Sequence, residues 1–363
     1  MERTEAVVVG LGAMGSAAAR SLGARGVRTI ALERFEPGHA RGSSHGPTRI
    51  FRLSYPDAEY ARLARRALPL WRELERDAGQ ELLVTTGGLD SGPAAARCAE
   101  ALAECGAPYE WLSTAECEER FAGIATEGRV LYQRDAGVCL ADRTVAAQVR
   151  LAVDAGVDVR TNVAVRAVRT AGDRAVVETA DGDVEAAVAV VTPGAWAAAL
   201  VPQAAVFAAV QTVSYFKPAE ASTPWPTFIE WADDGFAWYE VPPAGAAPGV
   251  KVAEHRPGPE ADPAAGPFQA DAGSLEATAE YVRRRFPGLD PRPVSSETCL
   301  YELSPDEDFV LDRTGPIVVG TGGSGHAFKF TPLLGEILAD LAQGRDPGVP
   351  PGRFAVGRFS GEP

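Results

Sequence analysis

Residues 5–15 read EAVVVGLGAMG, and residues 27–33 read VRTIALE. The first five residues suit a short buried strand. A glycine turn follows at Gly10, Gly12 and Gly15, then a helical pattern from Ser16 through Leu22 to Gly26, then a second strand ending at an acid, Glu33. Strand, glycine turn, helix, strand and closing acid make a unit of about 30 residues, the context that a dinucleotide-binding G-x-G-x-x-G needs. Each glycine has its own reason. Gly10 allows the tight turn, Gly12 lets backbone approach a pyrophosphate, and Gly15 lets the helix pack close to the strand. The helix N-terminus, around Ala13 and Met14, offers free N–H groups and the positive end of its dipole to phosphates. Glu33 would accept from a ribose hydroxyl, which favours FAD or NAD over NADP. A glycine-rich turn without a ligand is the bland alternative, and the complete context weighs against it.

Around this unit, 363 residues with 46% hydrophobic content fit one large domain or two interlocked ones. The chain carries 35 basic and 49 acidic residues, a net charge of −14. That balance argues against a nucleic-acid partner, which needs a basic patch, and against anionic membrane surfaces. The five cysteines are odd in number and contain no C-x-x-C, so neither a zinc ribbon nor a disulfide framework fits. The four histidines are scattered without ligand spacing, so no metal site is expected. With no signal-peptide pattern at the N-terminus and no apolar run long enough for a membrane span, the expectation is a soluble cytoplasmic protein.

Only three of the basic residues are lysines: Lys217, Lys251 and Lys329. Where arginine serves, this chain uses it. The surviving lysines are therefore candidates for positions that need a compact ammonium, although chance survival suffices for Lys217.

Further along, Gly38–Arg52 is too rich in Gly, Ser and His for a core element. It reads as a long loop ending in a helical turn that carries Arg49 and Arg52 on one face. A helix is expected over Ala58–Arg76, kinked or split at Pro69. Helices are also expected over 93–105, 113–121 and Ala141–Ala155. Three strands follow, Val159–Val168, Ala175–Ala180 and Val184–Thr192, the last ending in a turn at Pro193–Trp196. Residues 206–300 alternate like a mainly β region, with one helix at Gly273–Phe286. A second strand–glycine-loop–helix pattern closes the chain at PIVVGTGGSGHAFKF (316–330) and Leu333–Leu341.

Four separated motifs in this order carry a resemblance: GLGAMG with Glu33; SSHGPTRIFR (43–52); TCLYELSPDEDFVLD (298–312); and GTGGSGHAFKF (320–330). TPGAW (192–196) adds a weaker fifth. The chain resembles the monomeric sarcosine oxidase and N-methyltryptophan oxidase family, FAD-dependent amine oxidases of the D-amino-acid-oxidase-like superfamily. The resemblance implies an α/β fold: a Rossmann-like FAD-binding domain of the glutathione-reductase type, with an inserted, mainly antiparallel β substrate domain. The expected FAD-binding segments are 1–82, 145–205 and 302–363; the substrate segments are 83–144 and 206–301.

It also implies roles. Ser43, Ser44, Arg34, Val163 and Trp196 belong to the cofactor site, with His45 and Arg49 near the flavin ring and Arg52 on a substrate carboxylate. A guanidinium fork is the natural bidentate partner of a carboxylate, while the bland reading of both arginines is a solvated face. Cys299, two before Tyr301, matches the cysteine that forms a thioether to flavin; the alternative is a free buried cysteine. Gly323, Gly325 and His326 lie at the flavin edge, and Lys329 is a second cation on the carboxylate. Lys251 and His255 match the family's oxygen-activating Lys-x-x-x-His, where a cation stabilises developing superoxide-like charge. Tyr239 resembles an active-site aromatic and is nearly as well read as core. The implied protein is a monomeric oxidase of a secondary amine or amino acid, N-methyl or cyclic, that reduces O2 to H2O2. The alternatives are a flavin dehydrogenase, a protein holding its dinucleotide structurally, and a secondary-metabolism tailoring oxidase acting on a cyclic amine or imine.

Overall fold

The computed structural model describes residues 1–218 and 225–359. Residues 219–224, inside the expected β region, and 360–363, at the end of the expected FAD-binding segments, lie outside the described residues.

β1 (Glu2–Val9), α1 (Ala13–Ala24) and β2 (Thr29–Leu32) form the expected opening unit, with β1 and β2 parallel. On its other side β1 pairs in parallel with the strand Val184–Val191. That strand is shared along its length. Residues 184–186 take the antiparallel strand Arg174–Thr179, and residues 189–191 take the parallel strand Ile317–Thr321. The strand ends at Val9, Val191 and Thr321 therefore open on one side of an eight-stranded sheet. Crevices at the carboxyl ends of parallel strands are where open α/β sheets bind ligands. Helix α1 is sandwiched by the helices Ala141–Asp154 and Thr331–Ala342, and its small residues Ala17–Ala19 permit the close approach.

The second eight-stranded sheet runs, edge to edge, 295–303, 207–216, 250–255, 237–241, 227–231, 88–91, 130–133 and 110–112. It is antiparallel except where 227–231 meets 88–91. One face packs on the helix Ala272–Arg285, where Trp238 stacks on Tyr281 with ring centroids 4.3 Å apart. Strand alternation sends the other set of residues, including Ile229, Trp231, Tyr239, Lys251, Cys299 and Tyr301, to a cavity. A third sheet of three strands includes β3 (Thr48–Phe51), whose partner Gly137–Leu140 also pairs with Leu83–Thr85.

Three expectations need correction. The helical turn expected at Arg49 and Arg52 is instead β3, because residues 48–51 find a ladder partner in Gly137–Leu140. Arg49 lies within that strand and Arg52 just after it, so they do not share a helix face. Pro69 does not split its helix: α2 runs unbroken from Ala58 to Ala78. Pro69 sits on the exposed face, where water can serve the carbonyl whose bond it removes, and Tyr60, Leu63, Ala67, Trp71 and Leu74 bury the opposite stripe. The strand expected over 159–168 is two strands, Asp158–Arg160 and Val165–Ala171, at opposite ends of the first sheet's strand order. The break falls at Asn162, whose φ of 59° leaves the β region.

Candidate active site

One cavity of about 1050 Å³ runs from the first glycine loop to the inner face of the second sheet. Every cofactor, substrate and catalytic candidate from the sequence lines it except Gly15, and of the three lysines Lys217 does not. Gly15 lies beneath the wall: a Cβ there would stand 1.8 Å from the Gly10 carbonyl oxygen and 2.5 Å from Thr192 Oγ1. Gly10 itself has φ +87°, and a Cβ would stand 2.5 Å from the Thr192 carbonyl oxygen. Only glycine fits where β1, α1 and the Thr192 turn converge.

At this end the N-terminus of α1 has no side-chain cap of its own, and Ser44 Oγ accepts from Ala13 N at 2.9 Å. Glu33 closes the loop from below: its carboxylate accepts from Leu11 N (2.7 Å) and Phe35 N (3.0 Å), with His39 Nε2 at 3.5 Å. These donors and the His39 partner hold its carboxyl below the usual range, against the larger opposing effect of burial. Val163 N donates to the Glu33 carbonyl. Arg34 lies over the rings of Phe35 and Trp196 at 5.5 and 5.8 Å.

The middle of the cavity is walled by the 43–49 loop. Arg49 donates to three backbone carbonyls, those of Ser43, His45 and Thr48, so it braces the loop from inside. The two ring nitrogens of His45 face the Gly42 and Thr298 carbonyls at 3.0 and 3.1 Å, tying the loop to the strand that carries Cys299. Burial, then the Arg49 charge, lowers the His45 pKa. Cys299 and Tyr301, two apart, both face in. Tyr301 OH meets His255 Nδ1 at 3.2 Å, and burial brings His255 down to about 4, so its ring is neutral near pH 7. Gly325 is pressed onto this pair; a Cβ there would stand 2.5 Å from the Tyr301 ring and 2.7 Å from His255. Lys251 is buried, with Nζ donating to the Thr48 carbonyl at 2.9 Å and lying 5.4 Å from the Tyr215 ring centroid. Burial, reinforced by the Arg49 charge, pulls its amine down to about 7.

At the far end Arg52 and Lys329 converge on Tyr55. The Arg52 guanidinium lies 4.2 Å from the Tyr55 ring centroid and Lys329 Nζ 5.4 Å from it. Lys329 Nζ donates to Tyr55 OH (2.8 Å) and the His326 carbonyl (2.7 Å). Burial, with the Arg52 charge adding to it, holds the Lys329 amine well below its usual range. His326 meets Tyr55 OH and the Glu307 carbonyl. Ile229, Trp231, Phe236, Ala237 and Tyr239 give this end an apolar wall. The helix expected over Leu333–Leu341 spans Thr331–Ala342 and follows a single tighter turn over Phe328–Phe330.

Comparison with known proteins agrees with this geometry. The family described as FAD dependent oxidoreductase matches residues 5–341. Monomeric sarcosine oxidase of Streptomyces avermitilis is 34% identical over 379 residues, covering 99% of this chain and 98% of that protein. N-methyl-L-tryptophan oxidase of Citrobacter koseri is 30% identical, covering 98% of each. The solved structure of NikD, an unusual amino acid oxidase essential for nikkomycin biosynthesis, in its open form, superposes with a TM-score of 0.85 at 28% identity, covering 98% of each chain. The chain belongs to the FAD dependent oxidoreductase family.

The residues present fit FAD. The glycine cradle leaves room for phosphates at the α1 N-terminus, and three buried polar atoms around the cavity wall, Ser43 Oγ, Thr48 Oγ1 and Trp196 Nε1, have no protein partner. Buried polar groups are normally satisfied, so these await a ligand that accepts or donates there. Sequence reasoning missed Tyr55, Asp90, Trp231, Glu297 and Glu302. Glu297 accepts from Tyr215 OH beside the Lys251 end of the cavity. The Glu302 carboxyl is buried against Gly323 and accepts from Thr321 Oγ1 at 3.1 Å. Burial pushes it up to about 7. Glu297 and Glu302 lie within or beside the third motif, but nothing in their type or spacing distinguished them from a solvated strand face.

Proposed function

We propose that this chain is an FAD-dependent oxidase of a secondary amino acid, N-methyl or cyclic. One observation carries the reading: a single cavity joins the dinucleotide cradle to Cys299, to the buried Lys251, and to the two convergent cations Arg52 and Lys329. A redox cofactor, a covalent anchor, an oxygen-side cation and a carboxylate clamp are the parts such an enzyme needs.

When bound, FAD supplies the hydride acceptor for the carbon next to the amine nitrogen, and then the two electrons that reduce O2 to H2O2. The remaining work falls to side chains. Arg52 and Lys329 hold the substrate carboxylate from two directions, which fixes how the amine end faces the cofactor. The apolar wall of Ile229, Trp231, Phe236 and Tyr239 disfavours an ammonium and so keeps the amine neutral. Neutral His255, bonded to Tyr301, offers a donor or acceptor without adding charge. Lys251 supplies positive charge where reduced oxygen develops negative charge. Ser43, Ser44, Glu33, Arg34, Val163 and Trp196 hold the nucleotide half. Arg49 and His45 keep the intervening loop in place. Cys299 is the covalent anchor, and the discontinuous FAD-binding and substrate segments expected from the sequence form one monomeric cytoplasmic enzyme.

Acid precipitation of the purified protein tests this reading. Yellow colour is expected in the pellet, with an added mass of one FAD that Cys299→Ser abolishes, and with peroxide released from secondary amino acids. Colour only in the supernatant would remove the covalent link. Failure of every secondary amino acid to release peroxide or reduce the flavin would overturn the substrate class.

A further inference from the structure

The cation that faces the substrate end is not free. Behind Arg52, just outside the cavity lining, lies Asp90, only 2% exposed, with Oδ1 at 3.6 Å from Arg52 Nη1. Both carboxylate oxygens accept: Oδ1 from Trp231 Nε1 at 3.2 Å and Oδ2 from Ser54 Oγ at 2.5 Å. Trp231 Nε1 and the Arg52 guanidinium can only donate, so Oδ1 faces donors alone, as an oxygen of an ionised carboxylate does. Burial raises its carboxyl pKa, and the Arg52 charge with the Ser54 and Trp231 bonds opposes that. Arg52 also donates to the Ser54 carbonyl, and its guanidinium is covered on its faces by Tyr55 at 4.2 Å and Trp231 at 5.1 Å. The guanidinium is therefore fixed in orientation and already paired with an anion. Lys329 differs: its ammonium bonds only to a phenol and a carbonyl.

The charges at this end are thus Arg52 and Lys329 against Asp90. A bound carboxylate opposes the burial and the Arg52 charge that lower the Lys329 amine, and with both cations then protonated the sum is one positive charge, which matches one carboxylate on a substrate whose amine is neutral. Without Asp90 the sum would be two, which matches a dicarboxylate. Asp90 is buried against Arg52 and does not line the cavity, so it repels every anion that Arg52 attracts, and at equal distance it repels a dianion twice as strongly as a monoanion.

Resting on the carboxylate reading above, we propose that Asp90 is the residue that sets the substrate's charge: a built-in counter-anion, acting through Arg52, that tunes the pocket to monocarboxylate amino acids and against dicarboxylates. The Ser54 and Trp231 bonds keep it at its post, and Trp231 couples this charge selection to the apolar wall. Asp90 is a positioning and specificity residue; it does not touch the substrate.

The test is calorimetric titration of the FAD-loaded wild type and Asp90→Asn with propanoate and with succinate, unreactive acids of similar chain length. Loss of one charge at this separation is expected to tighten propanoate about tenfold and succinate about a hundredfold, because Coulomb energy scales with ligand charge. The succinate-to-propanoate preference therefore rises about tenfold. Asp90→Glu, which restores the charge, is expected to return the ratio towards wild type. If Asp90→Asn does not fold, Asp90→Ser, also neutral though too short to reach both Ser54 and Trp231, carries the same expectation for the ratio. A merely structural role would weaken both acids together. A ratio that stays constant while wild type binds propanoate overturns the Asp90 assignment alone. If wild type binds neither acid, or if Arg52→Met and Lys329→Met leave its propanoate affinity unchanged, the carboxylate clamp falls and this proposal falls with it.

Discussion

At the proposed oxygen site, the protonation of a single atom, Lys251 Nζ, would decide the chemistry. It is one of three lysines in the chain, it is 3% exposed, and its nearest partner is a carbonyl rather than a carboxylate. With its amine near 7, the cation is present below neutrality and is lost as pH rises through that value. Reoxidation by O2 is therefore expected to slow as pH rises through about 7 in wild type. In Lys251→Met it should be slow at every pH, by about a hundredfold or more if the cation supplies the roughly 3–4 kcal/mol typical of one oxyanion donor. Reduction by substrate with an artificial acceptor should survive. Stopped-flow reoxidation against pH checks this, and an unaltered O2 rate in the variant would remove Lys251 from the oxygen site. The lysine was legible because arginine had replaced its kind almost everywhere else. Asp90, Ser54, Tyr55 and Trp231 were not. They come from three segments, and what gives them meaning is the packing that gathers them around one guanidinium.

Among elements, the opening β1–α1–β2 unit was fully legible, because its glycines answer to local sterics that no tertiary contact can relax. Gly15 shows how strict that is. An added methyl would meet the Gly10 carbonyl and Thr192 Oγ1, neither of which is the free end of a flexible chain. Gly15→Ala is expected to force α1 away from β1 and lower stability by about 1–3 kcal/mol or more. FAD content should fall with it, since the phosphate cradle is built from the same turn. Melting temperature and the flavin-to-protein ratio report the two effects; normal values for both would mean that the helix can shift freely. The elements that the sequence misread are those whose form is set from outside. Residues 48–51 are a strand only because 137–140 lies beside them, and that partner is almost ninety residues away. Helix α2 absorbs Pro69 because Trp71 and its neighbours are pinned in the core, with Trp71 Nε1 donating to the Lys329 carbonyl at 2.7 Å. That bond also fixes the backbone of Lys329, half of the proposed carboxylate clamp, to a long helix outside the site.

At the scale of the whole molecule, the two large sheets meet across a cavity that holds titratable groups away from water, and stability must then depend on pH. Glu302, half-buried beside Gly323 on the cavity wall, titrates near 7 in the folded chain against 4.5 ordinarily. The folded state keeps its proton between those values and the unfolded state gives it up. Its contribution to stability is therefore complete below about 4.5 and is lost as pH rises to about 7. Lys251 works in the opposite sense. Its folded pKa near 7 lies below the ordinary 10.5, so the unfolded state holds the extra proton and stability rises from about 7 to 10.5. Together the two groups place a stability minimum near neutrality. Glu302→Gln is close in shape and has no proton to lose. Relative to wild type it should gain stability steadily between pH 4.5 and 7, up to about 3 kcal/mol, since each tenfold change in proton affinity is worth roughly 1.4 kcal/mol. The gain should level off above 7. Thermal melts of the FAD-loaded proteins across this range measure it. A wild-type-minus-variant difference that is flat with pH would mean that Glu302 is ionised throughout, held by Thr321 and the Gly323 backbone rather than by its proton.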